Sequence, residues 1–192
     1  MTPATLVRRA IPLTSLACAL GLAMGGCAPI QDAEARAQFV KSFPTAKVTI
    51  LPACVRTNAA AHTFDPAAAE ALAEAWRSYG GSAIVGEAQV ALTGVWHMNQ
   101  QQVMRDSAAA FGAYVKAHPF ETEYALLPEY LIGRSEVIGI HAYVVDRQGK
   151  LAFLLGYNSH QKVFSQVKPK NGADATTVLV NAFKEELPPR DE

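Results

Sequence analysis

Glu136–Asp146 (EVIGIHAYVVD) and Lys150–Tyr157 (KLAFLLGY) decide the fold. Both runs are rich in β-branched and aromatic residues and almost continuously apolar, the pattern of strands covered on both faces of a sheet. Asp146-Arg147-Gln148-Gly149 between them supplies the turn-forming residues a tight reversal needs, so the two runs predict an antiparallel hairpin at the centre of the fold. If the turn pairs Val145 with Leu151, Tyr143 faces Phe153 and His141 faces Leu155.

Upstream of the hairpin, Thr122–Ile132 is apolar at Tyr124, Leu126, Tyr130 and Ile132 and reads as a further strand. Asn99 with Gln102 three residues on resembles a capping box. It opens a helix carrying Val103, Ser107, Phe111, Tyr114 and Val115 on one side until His118-Pro119. Ala83–Val85 through Val90–Leu92 predicts a strand or strand pair broken near Gly86 and Gly94. Asp65-Pro66 opens another helix: the carboxylate caps free amides, and proline at the first helical position loses no needed donor. Ala68, Leu72, Ala75, Trp76 and Tyr79 recur at helical spacing, and Gly80-Gly81 ends the run. Lys47–Leu51 predicts the first strand, closed by Pro52, and the small and polar Ala53–Phe64 reads as a loop. Downstream, Asp174 caps a helix with Leu179, Ala182, Phe183 and Leu187 inward, stopped by Pro188-Pro189. The order β-α-β-α-β-β-β-α implies an α/β (α+β) fold: a single mixed sheet with helices packed on it, a parallel crossover half followed by an antiparallel meander.

The N-terminal part carries an address. Met1–Arg9 holds two arginines and no acid, and about 15 apolar residues follow through Met24, shorter than the roughly 20 that span a bilayer. This is the layout of a signal peptide, residues 1–26, ending in Ala23-Met24-Gly25-Gly26-Cys27. That motif resembles the bacterial lipobox, with Met24 where leucine is usual, and it implies a lipid on Cys27. Residues 27–43 then form a tether with some helical tendency and 44–192 a single α/β domain. With Ala28-Pro29 after the cysteine, the aspartate that retains many enterobacterial lipoproteins in the inner membrane is missing. The expected location is the periplasmic face of the outer membrane, the inner membrane being the alternative.

Of 192 residues, half are apolar and 18% charged, which excludes a disordered or collagen-like chain. Lys+Arg and Asp+Glu number 17 each, and loss of Arg8 and Arg9 leaves 15 basic against 17 acidic residues. Without a basic excess to neutralise phosphates, nucleic acid is not an expected partner. Once Cys27 is modified, Cys54 is the sole free thiol of the remaining 166 residues, so the core must hold without a disulfide. A chain of that size buries roughly 70% of its unfolded surface.

The lipobox, the tether, the opening strand ending at Leu51-Pro52, the helix ending at Gly80-Gly81 and the late strand on Ala142–Asp146 together resemble a family of small bacterial envelope lipoproteins. Their α/β domain is similar to the N-terminal domain of TolB and the periplasmic domain of CsgG. The resemblance spans about Thr45–Leu187, rests on element order, and carries over no functional residue. It implies a non-enzymatic assembly, scaffold or accessory role, with the membrane contacted through Cys27 and another envelope protein or a second copy as partner.

Candidate chemistry is sparse. His141, mid-strand, reads as a base or ligand, or as a histidine hydrogen-bonded within the sheet. Asn158-Ser159-His160, with Lys162, Lys168 and Lys170 beyond, reads as a loop that meets a partner. Adjacent serine and histidine rarely reach each other, and no G-x-S-x-G elbow occurs. Cys54, near Arg56, is either an activated thiol or a buried inert one. The rival to a binding module is therefore a periplasmic hydrolase or thiol enzyme using Cys54, His141 or His160. Glu121, Glu123 and Glu129 read as a carboxylate cluster, or more simply Glu121 and Glu123, which share one strand face, as a solvated edge. No zinc spacing or phosphate loop is present, so no metal or cofactor is expected. Residues 134–170 hold six basic and two acidic side chains, a local +4 suited to an anionic surface.

Overall fold

The strand Tyr124–Ile132 is the axis of the molecule. A computed structural model describes residues 30–43, 45–57, 61–92, 99–134, 136–158 and 160–187. In chain order its elements are α1 (Ala33–Ser42), β1 (Lys47–Ile50), β2 (Ala53–Thr57), β3 (Ala61–Asp65), α2 (Pro66–Ser78), β4 (Ser82–Val85), α3 (Gln100–Ala117), β5 (Tyr124–Ile132), β6 (Val137–Asp146), β7 (Leu151–Asn158), α4 (Lys162–Val167) and α5 (Gly172–Glu186). The seven strands form one mixed sheet with helices on both faces, as the sequence pattern predicts.

On one side β5 pairs antiparallel with β6, which pairs with β7. On its other side lie β1 and then β2, both parallel to it. Tyr124–Leu126 match β1 and Glu129–Ile132 match β2, the two strands being separated by Leu51-Pro52. A proline in a central strand normally breaks a ladder. Pro128 does not, for a geometric reason: Leu126 accepts Leu51 N–H through its carbonyl, so its groups face β1, and two residues on the missing N–H of Pro128 falls opposite the break. β4 continues the sheet beside β1 in parallel, and β3 beside β2 in antiparallel.

The predicted hairpin forms, but β7 is an edge strand and β5 takes the central place. Val145 does pair with Leu151; a bulge then makes Val144 face Phe153, leaving Ala152 as the extra residue. Tyr143 consequently faces Leu154, and His141 faces Gly156 instead of Leu155. The turn is fixed by Asp146 Oδ1, which accepts Gln148 N–H and Lys150 N–H at 2.9 Å each, and by Gly149 at φ 76°. Leu154 is only half-buried, on the edge, so Leu154→Asp can turn its carboxylate toward water. We expect a loss of about 1–2 kcal/mol in a urea titration, not global unfolding.

Helix caps follow the sequence closely. Asp65 caps α2 through Ala68 N–H, with Pro66 opening the helix. Asn99 caps α3 through Gln101 and Gln102 N–H, while the Gln102 side chain donates to Asp106 instead of closing the box. The last helix is capped one turn earlier than predicted, by Asn171, whose Oδ1 accepts Asp174 N–H.

Four segments differ from expectation. The stretch beyond β7, read as a loop through Lys170, contains the short helix α4, which buries Phe164. Ala53–Phe64, read as a loop, is the β2–β3 hairpin over its described residues. Part of the segment read as a tether is packed: α1 buries Phe39, whose ring lies 5.0 Å from Tyr124 and 5.2 Å from Phe153, and Phe43 sits against Trp76 at 4.9 Å. Val90 and Leu92 are buried without being a strand. One core lies between the sheet and α1, α2, α4 and α5, centred on Ile50, Leu72, Trp76, Tyr130, Phe153 and Phe183. The other lies under α3, with Leu51, Cys54, Leu92, Phe111, Leu127 and Tyr143.

Candidate functional site

Sheet register brings four residues into one row on the α3 face. Cys54 of β2, Glu129 of β5, His141 of β6 and Gly156 of β7 are ladder partners in turn. Period-two alternation puts Arg56 two residues along from Cys54 and Tyr143 two residues along from His141, both on the same face. Ser107 comes down from α3.

Glu129 is the hub. It is fully buried, and its two oxygens take four donors. Arg56 Nη1 donates to Oε1 at 2.7 Å and Ser107 Oγ to Oε1 at 3.1 Å. Tyr143 OH donates to Oε2 at 2.6 Å, and His141 Nδ1 stands 2.9 Å from Oε2, which assigns the ring proton to Nδ1. Burial pushes the Glu129 carboxyl up, but the His141, Tyr143 and Arg56 bonds outweigh it and hold the pKa at about 2. Burial, and then the Glu129 charge, push the Tyr143 phenol well above its ordinary value. Arg56, Ser107, His141 and Tyr143 are all at most 2% exposed. His141 Nε2 has no hydrogen-bond partner among the described residues. Gly156 lies beside it and leaves room for Met104, whose Sδ would stand 2.5 Å from a Cβ at that position.

This network is chemically capable and sealed. A substrate cannot reach a carboxylate wrapped by four donors beneath a helix, and a carboxylate held ionised is the compensating charge for a buried guanidinium. Cys54 is likewise fully buried, and burial pushes its thiol up to about 11; Arg56 lies close but lowers it less than burial raises it. The activated-thiol reading is thus contradicted. His141 is completely buried, hydrogen-bonded to Glu129 of the neighbouring strand. His160 is exposed on the loop beyond β7, so the three candidates for an enzyme are not brought together. Glu121 and Glu123 are exposed at the start of β5 while Glu129 is interior, so those carboxylates form no cluster. Among the described residues no group of histidines, cysteines and carboxylates could hold a metal.

The loop candidates divide differently. Ser159 lies outside the described residues. Asn158 organises the turn: its Oδ1 accepts His160 N–H at 2.9 Å, its N–H donates to Gln161 Oε1 at 2.8 Å, and its Nδ2 donates to Gln100 Oε1. Lys162 opens α4, Lys168 ends it, and Lys170 follows. All three are exposed, with no carboxylate within 4 Å among the described residues. Lys168 and Lys170 flank a depression of about 410 Å³ floored by Val137, Phe164 and Pro169, with Ser165 and Glu136 on its rim. Lys168 has φ 50°, a left-handed conformation that costs a non-glycine residue about 1 kcal/mol. Lys168→Gly is expected to raise stability by about 0.5–1 kcal/mol in thermal melts while weakening any contact that uses the lysine's charge.

The local +4 of residues 134–170 is not one patch. Arg134, Lys162, Lys168 and Lys170 lie where β5 and β7 finish. Arg147 and Lys150 lie at the opposite end, Arg147 donating from Nε to Thr122 O at 2.9 Å and Lys150 Nζ standing 3.6 Å from Asp32.

No protein family and no curated protein matches the chain. Among solved structures it is similar to the dodecamer of a PelC point variant from Paraburkholderia phytofirmans, at 12% identity and TM-score 0.39 over 77% of this chain and 92% of that one. It is also similar to the LpoB C-terminal domain from Salmonella enterica, at 15% identity and TM-score 0.36 over 60% and 83%. E. coli LpoB gives 14% identity and TM-score 0.36 over 82% and 81%. These are not the TolB and CsgG domains suggested by element order, and at such values the likeness assigns this chain neither a function nor a site. No helix among the described residues is long and apolar enough to cross a membrane.

Proposed function

We propose that this chain is a lipid-anchored module of the bacterial envelope that acts by binding, with a non-enzymatic assembly, scaffold or accessory role. The observation that carries the reading is the division of its side chains. The residues that meet in one network able to do acid–base chemistry, Glu129, His141 and Tyr143, and the neighbouring thiol of Cys54, are sealed in the sheet, and the exposed His160 stands apart from them; Lys162, Lys168 and Lys170 are exposed, the last two beside a depression with an apolar floor. Asn158, His160 and those lysines, with Ser159 between them in sequence, form the partner-binding loop. Cys27 carries the lipid, and the periplasmic face of the outer membrane is the place of action. The partner is another envelope protein, or a second copy, presenting an anionic surface; the chain needs no cofactor for this role.

Anchoring is tested by Cys27→Ser in cells. Loss of palmitate incorporation and an unprocessed or mislocalised product are expected; label at the normal level on the variant would refute the anchor. Binding is tested by Lys162→Glu, Lys168→Glu and Lys170→Glu together. These exposed changes should leave the melting temperature within about 2 °C and abolish the crosslinks that the unaltered chain forms in intact cells.

A further inference from the structure

The start of the packed chain is pinned to one end of the sheet. Gln31 Nε2 donates to Ala152 O at 2.9 Å, and Asp32 Oδ2 lies 3.6 Å from Lys150 Nζ, so the chain enters the fold beside the first residues of β7. Four residue steps separate Cys27 from Gln31, and a fully extended chain of that length reaches at most ~14 Å. A lipid on Cys27 therefore holds the bilayer surface close to the Asp146–Lys150 turn. β7 runs away from that end for eight residues, about 25 Å, and finishes at Asn158, where the chain turns into α4. The helices agree with this polarity. Gln100 at the start of α3 meets Asn158, while Gly112, near the α3 C-terminus, lies against Gly149 of the turn.

We infer that the end of the sheet bearing Arg147, Gln148 and Lys150 lies against the phospholipid head groups, and that the end bearing Lys162, Lys168 and Lys170 faces away from them. This rests on the proposed anchoring at Cys27. The three lysines then present their charge to a partner standing off the anchoring leaflet and do not bind that leaflet's own lipid. Asp32, Glu121, Glu123 and Asp146 accompany Arg147 and Lys150 at the near end, so the short tether, and not net charge, sets the orientation.

The test places a fluorophore on full-length lipidated protein through Gln148→Cys or Lys162→Cys, both exposed positions. The sulfur of Cys27 is occupied by lipid, and Cys54 is buried with a raised pKa, so unaltered protein serves as the labelling blank. The samples are reconstituted into phosphatidylethanolamine–phosphatidylglycerol vesicles carrying nitroxide on the head groups. Quenching at position 148 should exceed that at 162 several-fold, and the contrast should persist at 1 M salt, where the screening length falls to roughly 3 Å. Protein that fails to float with the vesicles overturns the anchor and the orientation with it. Floating protein with equal or reversed quenching overturns the orientation alone. A contrast lost at high salt overturns the tether as its cause.

Discussion

Replacing Glu129 by leucine is expected to cost about 3–5 kcal/mol, because it takes away the carboxylate facing the buried Arg56 guanidinium and leaves Ser107 and Tyr143 aimed at an apolar group. A domain of this size holds only about 5–15 kcal/mol in total, so the variant should unfold at far lower urea than the parent. Combining Glu129→Leu with Arg56→Met should recover much of the loss, since a pair removed together leaves no uncompensated charge. The same group sets an acid limit. Its folded pKa of about 2 lies below the ordinary carboxylate value of 4.5, so its contribution is fully present above pH 4.5 and is lost as pH falls from there toward 2. A gap of that size corresponds to about 3 kcal/mol. Urea midpoints measured between pH 6 and pH 2.5 should fall steeply for the parent and much less for the double variant. Parallel slopes would contradict the account of Glu129.

Gly112→Ala is expected to be the second most damaging change. Alanine ordinarily gains about 1 kcal/mol over glycine in a helix, but a Cβ at 112 would lie 2.2 Å from the Gly149 carbonyl oxygen. The clash is with backbone on both sides: a Cβ at Gly149 would meet the Gly112 carbonyl at 2.1 Å, and Gly149 also needs its positive φ. Neither element gives without parting α3 from the β6–β7 turn, so overpacking of about 3 kcal/mol prevails over the propensity gain. The net loss of about 2 kcal/mol should lower thermal melting by about 4–8 °C, and a variant as stable as the parent would show that α3 and the turn do not approach so closely.

The features legible in the sequence are the local ones. A hairpin turn, an Asp-Pro helix start and a Gly-Gly stop act within a few residues, and Asp146, Asp65 and Gly80 sit where that chemistry puts them. The β2–β3 hairpin is hidden because Arg56 and His62 interrupt its apolar pattern. The compensation for Arg56 lies 73 residues away on Glu129, and His62 Nε2 sits 2.7 Å from Leu92 O, 30 residues away. Helix α1 is hidden because one fully buried side chain, Phe39, gives it no periodic stripe. The bulge at Ala152 leaves no mark in an unbroken apolar run, so the partner of His141 differs by one residue from the pairing that the turn alone predicts. Glu129 itself reads only as a member of a carboxylate cluster with Glu121 and Glu123, since its donors come from three distant parts of the chain. A signal is present all the same: Arg56, Glu129 and His141 each stand as a lone ionisable residue within an apolar stretch, and such residues are buried only in compensating sets. Exposed lysines, by contrast, carry no pattern that separates a binding loop from ordinary surface.

On the proposed function, this chain works through its exposed basic end and not through its buried thiol or histidine. Complementation of a deletion strain, at matched abundance, tests it most directly with two variants: Cys54→Ala, and the triple change Lys162→Glu, Lys168→Glu, Lys170→Glu. Cys54→Ala is expected to restore the wild-type phenotype and the triple variant to fail. A triple variant that complements fully, beside a folded Cys54→Ala protein that fails, would contradict it.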